Sequence, residues 1–141
     1  MPRQVTVAGS NRYCQARLRA AKYNEDFASR ATAVRKPMKT YSNDNGITRM
    51  RFLDVPVTVF CPLGPNYYRA SVSCEIELND TIADFLDLEA YFKQELNGKH
   101  LTSEQLCDEV FQTLTSVYEP EHLKVVVRSD SHFPIETIKE S

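Results

Sequence analysis

The sequence predicts an α+β domain: an antiparallel sheet in the order strand, strand, helix, helix, strand, strand, with both helices on one face. Two changes of pattern predict it. In the runs VPVTVFC (55–61) and YRASVSCEIEL (68–78) side chains alternate at the two-residue period of half-buried strands. Between Asn79 and Tyr118 the apolar period lengthens to about 3.6, and after Glu121 it shortens again. Strands and helices grouped in this way, rather than strictly alternating, define the α+β class.

The chain has 141 residues, 42% apolar and 26% charged, enough for one cored domain with an appended segment. Residues 1–46 read as that appendage, a basic N-terminal extension, and residues 47–141 as the domain. Within the extension only QARLRAAKYNEDFASRA, residues 15–31, has helical composition, with a thin apolar face of Leu18, Ala21 and Phe27. Turn formers follow, and Asn45-Gly46 is a strong turn signal.

The domain opens with ITRMRFLDVPVTVFC, one long strand or two broken at Pro56, because proline removes a ladder donor. Val55, Val57, Val59 and Cys61 fall on one face. CPLGPNY reads as a turn or loop. In YRASVSCEIEL, residues Ala70, Val72, Cys74, Ile76 and Leu78 face inward, against Ser71, Ser73, Glu75 and Glu77 outward, so the two runs pair as a hairpin. The first helix is expected to start from a capping box of Thr81 and Asp84. Its face would be Phe85, Leu88, Phe92 and Leu96, and Asn97-Gly98 would end it. Thr102 and Gln105 cap the second, whose stripe is Leu106, Val110, Leu114 and Val117 and whose end is Glu119-Pro120. HLKVVVRS and PIETIKE supply the remaining strands. A sheet this narrow has open edges, so pairing with further copies of the chain is expected.

The net charge of −2 conceals an asymmetry. Residues 1–51 hold eleven Lys and Arg against three acids, giving +8; the remainder holds six against sixteen, giving −10. A basic arm on an acidic body could bind nucleic acid, but without the aromatic and basic interleaving of a single-strand binder it better suits the acidic surface of its own or a neighbouring subunit, or a larger partner. No apolar run approaches the ~20 residues of a membrane helix, and the N-terminus lacks a secretory core, so a cytoplasmic protein with no membrane partner is expected. The four cysteines form no CxxC pair and the three histidines are scattered, which favours reduced thiols and no metal.

Two local patterns resemble the tunnelling fold. DFLDLEAYFKQEL followed by LTSEQL is similar to the pterin synthase pattern of a DF-x-DL helix and a later PT-x-E, with Leu101 in the proline's place. VFCPLGPNYYRASV resembles the segment of 7-cyano-7-deazaguanine reductases in which CP precedes TGQPD and a strand. The resemblance covers residues 47–141. It implies a barrel-forming oligomer in which purine- or pterin-like rings bind between subunits, gripped by a glutamate that falls here on Glu104. It also places Cys61 on the nucleophile that attacks a nitrile to form a thioimide.

Departures from that pattern matter equally. Tyr68 stands where the reductases carry a proton-donating aspartate, and their His-Glu pair is Ser103-Glu104. Their nicotinamide motif aligns with Phe85, Leu86, Asp87 and Leu88 and is absent, so no NADPH or other cofactor is expected. The zinc-binding histidines of the pterin synthases have no counterpart. A working reductase is therefore not expected. What remains is a binder of a purine-, 7-deazapurine- or pterin-like ligand, with Glu104, Ser103 and Tyr68 as contacts and Cys61 as nucleophile.

Each residue also has a plainer reading. Glu104 in a first turn satisfies the helix dipole. Cys61 could be a small hydrophobe continuing the valine face. Tyr67 and Tyr68 could stack on a heterocycle or fill a subunit contact. Two rival functions follow: a structural protein using the barrel and the basic arm, and a non-reductive, thioimide-forming enzyme of the amidino-transfer kind.

Overall fold

The computed structural model describes residues 37–129 and 134–141. Six strands and two helices appear in chain order: β1 (Thr40–Ser42), β2 (Arg49–Phe60), β3 (Tyr67–Glu77), β4 (Thr81–Ala83), α1 (Phe85–Ala90), α2 (Ser103–Tyr118), β5 (His122–Ser129) and β6 (Ile135–Glu140). Helix α1 continues as π-helix over Tyr91–Leu96. Four strands form an antiparallel sheet in the order β2-β3-β5-β6, while β1 and β4 pair as a separate two-stranded sheet.

The alternation read from β3 is realised: Ala70, Val72, Cys74 and Ile76 are buried, as are Val57 and Val59 opposite and Leu123, Val125 and Val127 on β5. Helix α2 packs over β5 and β6, and the π-helical segment over β2. Leu106, Val110 and Leu114 make the buried stripe of α2, joined by Cys107 and Tyr118, with Val117 at its margin. The other face of the sheet is polar. Glu75 pairs with Arg49 (3.5 Å) and Arg51 (3.3 Å), and Arg128 with Asp54 (3.1 Å) and Glu136 (2.9 Å). Such one-sided burial is what antiparallel sheets permit.

Pro56 does not break β2. It lies opposite Ser71 within a continuous strand, and it is tolerated because β2 is an edge strand of its sheet. The irregularity falls earlier, where the register shifts between Phe52 and Val55 and Asp54 takes a left-handed φ of 53°. This bulge points Leu53 outward and is pinned by the Asp54 N–H, which donates to Ser73 Oγ at 3.0 Å.

Three expectations need correction. The order strand, strand, helix, helix, strand, strand holds for the four-stranded sheet alone, since β1 and β4 add a second sheet through pairing of distant segments. Thr81 and Asp84 form no capping box: Thr81 belongs to β4, and Asp84 sits at the N-cap of α1 with no side-chain cap bond. Strand pairing with β1 takes the residues that a longer helix would need. Phe85 is largely exposed, so the buried face of the first helix is Leu88, Tyr91, Phe92 and Leu96. The second capping box is as expected, with Gln105 N–H donating to Thr102 Oγ1 at 3.2 Å and Thr102 N–H to Gln105 Oε1 at 2.9 Å.

The described part of the 1–46 extension is attached to the body. Thr40–Ser42 pair with Thr81–Ala83, Met38 packs against the core, and Asn43 accepts from Ile47 N–H within the Asn45-Gly46 turn. The helix expected over 15–31 lies outside the described residues. Among the described residues no helix is long and apolar enough to cross a membrane.

The segment between the helices covers the end of β2. Thr58 N–H donates to Asn97 Oδ1 (2.9 Å) and Gly98 N–H to the Thr58 carbonyl (2.9 Å). Phe60 N–H then donates to the Lys99 carbonyl (2.8 Å) and Leu101 N–H to the Phe60 carbonyl (3.1 Å). Asn97 also closes the π-helical segment by donating to the Lys93 carbonyl at 2.8 Å. Asn97→Ala removes both side-chain bonds and is expected to cost about 1–2 kcal/mol, measured by urea unfolding. An unchanged midpoint would show that the edge bonds hold without it.

Candidate functional site

Strand β2 ends at Phe60, so Cys61 does not continue the valine face. It opens the hairpin loop 61–66 and is half-buried. Its N–H donates to the Asn66 carbonyl at 2.8 Å, and its carbonyl accepts from Gly64 N–H at 3.3 Å. The thiol is free, as are those of the buried Cys74 and Cys107. Burial in the core pushes the Cys74 thiol up to about 12, which leaves it protonated and inert, as expected of a core residue.

Tyr68 is the second residue of β3. Its hydroxyl donates to the Leu101 carbonyl at 2.6 Å. Burial, the largest effect, raises the Tyr68 phenol from 10.0 to about 12; Ser103 offsets part of the rise, and Cys61 and Glu104 add to it. One phenol thus ties the start of β3 to the segment leading into α2. Ser103 is half-buried and Glu104 exposed.

An aromatic cluster borders the same end of the sheet. Phe60 stacks on His100 with ring centroids 5.0 Å apart and planes 18° apart, and meets Tyr67 edge-on at 6.4 Å. Tyr67 is mostly exposed. Neither Phe60 nor His100 is among the residues that the sequence singled out. Pairing of the interhelix segment with β2 joins them, a contact that no local motif encodes.

Lys99 was likewise missed. It is 5% exposed, and its Nζ lies 3.7 Å from Glu109 Oε2. Tyr91 and Thr113 hydroxyls also approach that oxygen, at 3.4 and 3.3 Å, and Tyr91 donates to Thr113 Oγ1 at 3.1 Å. A buried lysine needs a carboxylate partner to offset its desolvation. The pair anchors from beneath the segment that carries Leu101 to Glu104.

Two clefts lie elsewhere. One of about 360 Å³ is bounded by Met50, Phe52, Val55, Phe85, Leu88 and Phe92 between β2 and α1. A second of about 300 Å³ on the polar face touches Leu53, Ser73, Glu75 and Lys124. Neither includes Cys61, Tyr68, Ser103 or Glu104.

No family model matches the sequence, and no curated protein matches it closely. Solved structures do match in fold. An archaeosine synthase, QueF-Like, in its apo form superposes with a TM-score of 0.63 at 18% identity, covering 68% of this chain and 95% of that one. A protein of Vibrio cholerae O1 biovar El Tor str. N16961 described as a dihydroneopterin aldolase, FolB, superposes with a TM-score of 0.56 at 11% identity, covering 68% and 98%. The chain shares the fold of these two proteins, the tunnelling fold that the sequence patterns resemble.

Tyr68→Phe is expected to cost about 1 kcal/mol at neutral pH by leaving the Leu101 carbonyl without its donor. Because the folded phenol ionises near 12 rather than 10.0, its contribution is complete below pH 10 and lost as pH rises through about 12. Urea unfolding across that range should show the gap between the wild type and Tyr68→Phe narrowing. A gap independent of pH would contradict the placement of Tyr68.

Proposed function

We propose that the protein binds a flat purine-, 7-deazapurine- or pterin-like ring at the wall formed by Tyr68, Ser103 and Glu104, with Cys61 placed to attack an electrophilic substituent. The observation that supports this reading is the Tyr68 hydroxyl bonded to the Leu101 carbonyl at 2.6 Å, which ties the strand following the Cys61 loop to the segment that leads into Ser103 and Glu104. A carboxylate such as Glu104 accepts two parallel N–H bonds, the pattern offered by the N–H and amino edge of a guanine-like ring. Its exposure in one chain suits a site completed by a second copy. Oligomerisation through the sheet edges supplies that copy and belongs to the same proposal.

The chemistry open to Cys61 is addition of its thiol to a nitrile. The sulfur–carbon bond forms as one carbon–nitrogen π bond breaks, and the thiol proton passes to nitrogen, giving a thioimide. No redox step is involved. Tyr68, a weak acid whose proton is held by Leu101, does not replace a carboxylic acid as donor. The absence of a nicotinamide motif argues against reduction of the adduct.

A second reading is supported by the same absence and by the fold similarity to an archaeosine synthase. An amine adds to the thioimide carbon, the Cys61 thiol departs, and an amidine is released. Atoms and protons balance without a cofactor. Under the structural alternative, Glu104 is only a helix-end acid.

Incubation with 7-cyano-7-deazaguanine followed by intact-mass measurement tests the proposal. The expected result is a one-ligand adduct, abolished in Cys61→Ala. Glu104→Gln should weaken binding about 10- to 100-fold, as expected for loss of a charge-assisted pair. Release of the adduct by ammonia with recovery of the free thiol would select the amidine reading. Neither adduct nor thermal shift with this compound would leave the structural alternative.

A further inference from the structure

We propose that the apolar cleft between β2 and α1 is the docking site of this chain's own N-terminal arm, residues 15–31. The cleft has a volume of about 360 Å³ and is floored by Met50, Phe52, Val55, Leu88 and Phe92, with Arg51, Glu89 and Lys93 also lining it. Phe85 at its lip is 66% exposed and the adjacent Leu86 73%. Two large apolar side chains standing open beside an apolar cleft form a surface that soluble proteins usually cover.

The occupant follows from where the chain enters the body. Lys39 N–H donates to Asp87 Oδ2 at 2.8 Å, and Asp84 N–H donates to the Lys39 carbonyl at 2.8 Å. The chain is thus fixed against the first turn of α1, the turn that carries Phe85 to the cleft. Between Ala31 and Pro37 lie residues 32–36, which span up to roughly 20 Å when extended. Phe85 to Phe92 is about 10 Å along a helix. The segment reaches the cleft without strain.

Charge and chemistry agree with that geometry. Residues 1–36 carry eight Lys and Arg against Glu25 and Asp26, a net +6. Residues 84–96 carry Asp84, Asp87, Glu89 and Glu95 against Lys93, a net −3. Leu18, Tyr23 and Phe27 are the large apolar side chains of the 15–31 segment and the complement to an apolar floor. Lys22 lies among them, within reach of the α1 carboxylates once the segment is seated.

Zero-length carbodiimide coupling of the full chain, read by peptide mass spectrometry, tests this. Lys22 is expected to couple to Asp87, Glu89 or Glu95, with the yield falling about tenfold in Phe85→Ser and in Phe27→Asp through the loss of one buried aromatic. Phe85 is exposed in the body, so its substitution leaves the fold intact for comparison. Coupling of Lys22 chiefly to Glu75, Glu121 or Glu136, no coupling at Lys22, or yields unchanged in both variants would each overturn the proposal. So would coupling found only between differently labelled chains in a ¹⁵N/¹⁴N mixture, which would assign the cleft to a neighbouring copy's arm. None of these results depends on ligand binding at Glu104.

Discussion

The site depends on the pairing of residues 97–101 with the end of strand β2. That pairing satisfies backbone groups that an edge strand would otherwise leave open. It also fixes where α2 begins, because Leu101 is tied to Phe60 only two residues before the helix starts at Ser103. Cys61 follows Phe60 directly. The nucleophile candidate and the carboxylate candidate are therefore set by one local ladder, and Tyr68 closes it from β3 through the Leu101 carbonyl.

The same ladder divides the β2 edge into two parts. Near Thr58 and Phe60 the outer side is occupied by the chain itself, whereas the stretch before Val57 has no strand partner on that side among the described residues. The bulge at Leu53–Asp54 lies in that open stretch. Bulges twist an edge and restrict which strand can pair with it. A strand added to this edge would pair before residue 57, with Cys61 and the aromatic cluster of Phe60, Tyr67 and His100 at the rim of the contact.

Much of the architecture was legible because each main element carries its own period. The β3 alternation and the α2 stripe are local statements about which face is apolar, and the core follows them. The Thr102 cap was legible for the same reason: its partners lie three residues apart. Failures occurred where distant segments compete for the same residues. Thr81 and Asp84 have the composition of a helix start, yet pairing of β4 with β1 takes Thr81 into a strand. Phe85 has helical spacing but faces outward, and that exposure marks a surface still to be covered.

At the candidate site, sequence identified side chains by type, but only the fold could give their proximity. Glu104 could be chosen from a helix-start pattern and Cys61 from a Cys-Pro turn. The tie between their segments runs through Tyr68 and is visible only in its bond to the Leu101 carbonyl. Lys99 illustrates the limit more sharply. In the sequence it is one more polar residue in an interhelix turn, while in the fold it is sealed against Glu109. Breaking a buried pair by removing one partner typically costs 3–5 kcal/mol. This lysine therefore constrains the segment carrying Leu101, Ser103 and Glu104 more tightly than any exposed residue around them, and a chain that kept Cys61 and Glu104 but lost the Lys99–Glu109 contact would keep the chemical groups without their arrangement.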